Sequence, residues 1–196
     1  MRILQVHLSL VIMCLFCTSA FAGYTQYYTW HQKPGDTELK TCISEMRRVI
    51  EARTNILAGP DGTGTVIIDP SHLALNGIGE ESHETFIFPG ELGFNFCKTA
   101  AKPYDEVVTA CLLVARDHFP SSVLSIDSDG SWSEGDWQDG IKLYTSVLGR
   151  TPQNPMSPLW QVVGWRYSLY AYGSFALLLV IGVLILRTVR KKWRGF

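Results

Sequence analysis

Residues 103–115 read PYDEVVTACLLVA, and their reading decides what kind of domain this chain builds. Proline opens a helix well, because its missing amide hydrogen falls where no intrahelical partner exists. Tyr104, Val107, Val108, Cys111, Leu112 and Ala115 recur at helical spacing as an apolar stripe, and Phe119-Pro120 stops it. Such a stripe must be buried against another element, and the flanking segments supply several.

Upstream, residues 24–30 (YTQYYTW) are rich in aromatic and Thr side chains and predict a first strand, broken at Lys33-Pro34-Gly35. Asp36 or Thr37 is placed to cap a helix in which Leu39, Cys42, Ile43, Met46, Val49, Ile50 and Ile56 share one side. Two or three strands follow, at residues 65–69 (TVIID), around Leu73 and Leu75, and at 85–88 (TFIF), while residues 91–99 fit no element. Downstream, residues 123–126 predict a strand, 127–136 a polar turn, and Asp136 a cap for a last helix carrying Trp137, Ile141, Tyr144, Val147 and Leu148 to Gly149. The order predicts an α+β domain, a ferredoxin-like or related small sheet with helices on one face. Its two long helices are expected side by side, so that Cys42 and Cys111 either meet or act as small buried hydrophobes.

Farther out the chain changes character. Residues 169–186 (LYAYGSFALLLVIGVLIL) carry no charge, and Arg187, Arg190, Lys191, Lys192 and Arg194 follow at once. Backbone amides in hydrocarbon must satisfy one another, which predicts a C-terminal transmembrane helix with its basic end in the cytoplasm. Trp160, Trp165, Tyr167, Tyr170 and Tyr172 suit the interfacial belt of the opposite leaflet. At the other end, Arg2, the apolar residues 8–17 and Ala20-Phe21-Ala22 form the pattern of a signal peptide, with cleavage expected after Ala22 and an uncleaved signal anchor of the same topology as the alternative. The expected layout is a signal peptide at 1–22, an extracytoplasmic domain at 23–149, a Pro-rich linker and aromatic belt at 150–166, a transmembrane helix at 167–188 and a basic cytoplasmic tail at 189–196.

Charge divides along the same lines. Between Gly23 and Trp160 there are ten Lys and Arg against eighteen Asp and Glu, a net −8, although the whole chain is −1. A surface so acidic is a poor partner for phosphate backbones, so nucleic acid is excluded, and a membrane with a protein or envelope partner is expected instead. Cys42, Cys97 and Cys111 remain after signal removal, an odd number that leaves at least one thiol free or paired between chains and is not the pattern of a disulfide scaffold.

The densest polar stretch lies at residues 80–105. Asn76-Gly77, His83-Glu84-Thr85-Phe86, Phe96-Cys97-Lys98-Thr99-Ala100, Lys102-Pro103-Tyr104-Asp105 and Ser128-Asp129-Gly130 together resemble a recurring domain of uncharacterised bacterial proteins. That resemblance spans roughly residues 76–144 and implies a domain with no assigned activity.

Three chemistries compete for this stretch. A Cys97 nucleophile with His83 as base and Asp105 or Glu84 as orienting acid describes a membrane-tethered hydrolase or transferase, since a thiolate needs an imidazole or cationic surroundings. His72, His83 and Cys97 are suitable metal ligands but lack ligand spacing, and in the turn from Asp127 to Ser131 the calcium-loop pattern fails at Trp132 and Gln138. The third account is structural: Glu84 pairs with Lys98 or Lys102, Tyr104 donates to a backbone carbonyl, and Cys97 is buried. The residues fit the third account best. Glu84, Lys98, Lys102, Tyr104, Asp127 and Asp129 are the binding candidates, and no metal or cofactor is expected.

Overall fold

A computed structural model describes residues 24–133 and 135–156. The expected signal peptide, transmembrane helix, aromatic belt and basic tail fall outside the described residues. Among the described residues no helix is long and apolar enough to cross a membrane.

The domain is α+β, built of small antiparallel sheets and three helices. Strand β1 (Thr25–Trp30) is central to the first sheet, with β6 (Gly93–Lys98) on one side and β7 (Leu124–Ser128) on the other, both antiparallel to it. Helix α2 (Asp105–His118) joins β6 to β7, so the connection crosses over β1. Residues 91–99, assigned to no element from sequence, therefore contain an edge strand of the main sheet. Helix α1 (Asp36–Glu51) follows β1 and buries Leu39, Cys42, Ile43, Met46, Val49 and Ile50, while Ile56 falls in a separate 3-10 turn. Gly35, not Asp36 or Thr37, occupies its N-cap, and Asp36 and Glu38 place negative charge in the first turn, where the helix dipole favours it. Helix α3 (Gly135–Leu148) starts one residue before the expected cap at Asp136.

The remaining strands do not extend this sheet. In the second sheet β4 (His72–Gly77) is central, pairing with β2 (Leu57–Ala58), β3 (Ile67–Asp69) and β5 (Phe86–Phe88). Aromatic packing accounts for the division. Phe86 and Phe88, both fully buried, meet Tyr28 and Trp30 at ring-centroid separations of 5.8 and 5.6 Å. The Tyr28 hydroxyl donates to the Ile87 carbonyl and Trp30 Nε1 to that of Pro89 at 2.5 Å. These contacts lay β5 across the inner face of the first sheet instead of beside its edge. Helices therefore share that face with a strand, a departure from the expected single sheet with helices alone on one side.

Helix α2 is buried on more than its expected stripe. Thr109, Ala110, Leu113 and Val114 are as covered as Val107 and Leu112, because α1 and α3 flank the helix. A helix apolar around most of its circumference belongs in a core. Cys42 and Cys111 are both free and buried, and burial pushes both thiols up, that of Cys42 with a contribution from Cys111.

One polar cluster, unseen in the sequence, ties the three helices together. Arg150 Nη2 reaches Glu45 of α1 at 2.6 Å and Asp117 of α2 at 2.7 Å, and its guanidinium lies 5.5 Å from the ring centroid of Tyr144 of α3. Tyr144 donates to Asp117, and burial together with that bond pushes its hydroxyl up to about 12. His118 Nε2 sits 3.1 Å from Glu45. Arg150, the first residue of the expected linker, is thus bound back onto the domain, and Pro152 and Pro155 are buried.

The hydrogen bond from Arg150 holds the Glu45 carboxyl below its ordinary value, opposed by burial and helped by His118. A carboxyl depressed in the folded state stabilises the fold above its unfolded pKa, and that contribution is lost as pH falls through the folded value. Thermal melts should therefore show stability falling as pH drops through and below about 4. The fall should be shallower in Glu45→Gln.

Candidate functional site

The motif residues of the sequence meet at one corner, where β6 turns into α2. Ala100 and Ala101 both adopt left-handed backbone, at φ 53° and 54°, a conformation that costs a residue with a side chain about 1 kcal/mol. Backbone bonds hold the turn: Thr99 and Ala100 both donate to the Tyr24 carbonyl, at 3.1 and 3.0 Å. Asp105 then begins α2 with its carboxylate turned inward, accepting from Gln26 Nε2 at 3.0 Å and Thr99 Oγ1 at 2.6 Å on the same oxygen. First strand, second helix and the turn between β6 and α2 are locked by that one group.

Tyr104, also fully buried, donates to the Glu84 carbonyl at 2.8 Å. The carboxylate of Glu84 accepts from the backbone amide of Lys98 at 2.7 Å, and Lys102 Nζ reaches the Glu80 carbonyl at 3.0 Å and Glu81 at 3.4 Å. The expected ion pair of Glu84 with Lys98 or Lys102 is thus replaced by a bond from the Lys98 main chain, which stays fixed by the strand while an ammonium would need a long side chain ordered. Asn76 spans the preceding loop, accepting from the amides of Gly77 at 2.8 Å and His83 at 3.0 Å. Removing the Tyr104 hydroxyl strands the buried side of this loop. Tyr104→Phe should lower unfolding free energy by about 1–2 kcal/mol in denaturant titration with an unchanged slope.

Cys97 is fully buried, with its thiol 3.4 Å from the Glu84 carbonyl. Burial pushes that thiol up, and the polar groups acting on it are Tyr104, Glu84 and Asp105. His83 is exposed and is held through its backbone. The corner thus brings together Cys97, Glu84, Tyr104, Asp105 and the backbone of Lys98, and leaves the His83 ring outside. A cavity of about 420 Å³ adjoins it, lined by Tyr24, Lys102, Pro103, Asp105, Glu106 and Asp139 among others. Its charges are already engaged within the chain: Glu106 with Arg53 at 2.9 Å, Asp139 with Lys142 at 2.8 Å, Asp105 and Lys102 as above. Among the described residues no three His, Cys, Asp or Glu side chains converge as metal ligands.

The other feature is the outer face of the first sheet. Strand alternation puts Gln26, Tyr28 and Trp30 inward and Tyr27 and Thr29 outward, with Thr25 on the outer face but covered. On β6 the outward positions are Phe94 and Phe96, which remain 64 and 53% exposed, beside Leu92 at 69%. Register aligns Phe96, Tyr27 and Asp127 in one row, with Phe94, Thr29 and Ser125 in the next. Lys98 and Thr25 pair at the end of the array, near Asp129. The rings form a continuous ladder: Tyr27 stacks on Phe94 at 5.9 Å, and Phe94 lies 6.0 Å from Phe96. The Tyr27 hydroxyl donates to the exposed carboxylate of Asp129, 3.1 Å from each oxygen.

No protein family, curated protein or solved structure matches this chain.

Proposed function

We propose that this is a single-pass membrane protein presenting an acidic α+β binding domain outside the cytoplasm, periplasmic or extracellular, with its C-terminus inside. The domain is a variant of the ferredoxin-like theme in which β6, α2 and β7 enclose β1. The observation that carries a binding role is the aromatic ladder on the outer face of that sheet. Antiparallel sheets that face water alternate apolar-in and polar-out, whereas here Leu92, Phe94 and Phe96 break the outer alternation. Contiguous exposed rings rimmed by polar groups mark interaction surfaces. The corner around Asp105, whose polar groups are bonded to one another, serves as the frame that fixes β6 and β1 in register.

The rival is a tethered cysteine-dependent hydrolase or transferase using Cys97 and His83. Two variants separate the readings. Under the binding account Phe94→Ser with Phe96→Ser abolishes the cellular phenotype of a deletion-complementation assay while Cys97→Ser preserves it; the reverse pattern favours the enzyme. Reporter fusions after Asp139 should be active when the reporter requires export and silent when it requires the cytoplasm.

A further inference from the structure

We infer that the aromatic face receives a cationic segment of a partner protein, an extended stretch in which arginine or lysine alternates with apolar residues. The inference rests on the binding role proposed above and adds the chemistry of the partner. Chemically the face is graded across its width. Phe94 and Phe96 on the β6 edge are exposed rings, Tyr27 on β1 bridges them to Asp129, and the β7 side carries Asp127 and the exposed Asp129. Rings beside carboxylates suit a guanidinium or ammonium, which gains from the ring face and from the anion together. Asp129 takes a single hydroxyl from Tyr27, and a carboxylate has room for several donors, so an arriving guanidinium need not displace that bond.

Charge complementarity selects this occupant over the others. With a net −8 between Gly23 and Trp160, phosphate-rich surfaces are repelled, and a second copy brings the same negative charge to the same face. A segment running along the strands and standing edge-on to the sheet sends its apolar residues sideways over Phe94 and Phe96 and its alternate cations the other way, toward Tyr27 and Asp129. Lys98, at the end of the β6 row, is the cation placed to oppose such a partner.

The test uses the full chain in nonionic detergent and a labelled peptide of alternating arginine and valine, with a glutamate-valine peptide as control. Anisotropy should report saturable binding of the arginine peptide that weakens with salt, and no binding of the glutamate peptide. Asp129→Asn combined with Phe94→Ser should weaken it about tenfold or more, whereas Lys98→Gln should tighten it several-fold. All three side chains project from the outer face, and continued protection of the buried cysteines from a thiol reagent checks the fold of each variant. Equal binding by the variant, equal binding of both peptides, or preference for anionic vesicles or for self-association would each overturn the cationic partner. If the arginine peptide fails to bind while Phe94→Ser with Phe96→Ser still abolishes the phenotype, the partner chemistry is wrong and the binding role stands. If that substitution leaves the phenotype intact, the binding role itself is lost.

Discussion

Asp105→Ala should lower the unfolding free energy by about 2–5 kcal/mol, because it strands two buried donors at about 1–3 kcal/mol each. Those donors are Gln26 Nε2 and Thr99 Oγ1, both fully buried and both bonded to one carboxylate oxygen. Loss of negative charge from the first turn of α2 adds to the cost. Asp105→Asn is the informative companion. Its amide oxygen can take the place of the shared acceptor, so it should be distinctly milder than alanine if the residue frames the corner. Denaturant titration of the two variants measures the difference directly, and equal loss from both would show that the charge itself, not the acceptor, is what the corner needs.

Gly140→Ala should cost about 2 kcal/mol despite the better helix propensity of alanine, which returns about 1 kcal/mol. The reason is the closeness of α3 to α2. A β-carbon at residue 140 falls 2.1 Å from Thr109 Oγ1, 2.8 Å from its β-carbon and 3.1 Å from the Ala110 backbone nitrogen. Thr109 cannot swing aside freely, being fully buried with its hydroxyl donating to the Asp105 carbonyl at 2.8 Å. The two helices must separate, and the Asp105 turn feels the shift. Adding Thr109→Ala should recover part of the loss, so that the double-mutant cycle shows a coupling of opposite sign to the single effects.

Periodicity carried the helices and most strands, because each buries a face whose repeat is local. The stripe of α1 from Leu39 to Ile50 was legible for that reason. Helix α2 was legible in place but not in depth: only the arrival of α1 and α3 on its flanks explains why Thr109 and Leu113 are buried too. Strand β6 escaped because GFNFCK inverts the usual pattern: its large apolar residues, Phe94 and Phe96, lie on the outer face, and the inner face carries only Gly93, Asn95 and Cys97. For the same reason Phe94 and Phe96 were invisible as surface features, since their facing depends on register with Tyr27 across the chain.

The candidate site divides in the same way. Glu84, Tyr104 and Asp105 were marked by their density along the sequence, yet Gln26, which bonds Asp105 from 79 positions away, has no local signal at all. The Arg150 cluster joins Glu45, Asp117 and Tyr144 across as many as 105 positions and was equally hidden. Lysine partners were expected for Glu84 from charge alone, whereas geometry offered it a backbone amide. Polar networks made between distant segments follow from the fold and are not written in any one stretch.

Thiol labelling across an intact cytoplasmic membrane tests the exported, exposed aromatic face most directly. Cys42, Cys97 and Cys111 are fully buried, so a cysteine placed at exposed Phe94 supplies an addressable thiol on the proposed face. A membrane-impermeant maleimide should label Phe94→Cys in cells whose outer barrier is permeabilised but whose cytoplasmic membrane is intact, with the unsubstituted chain as background. Labelling that appears only after the cytoplasmic membrane is broken would contradict the account.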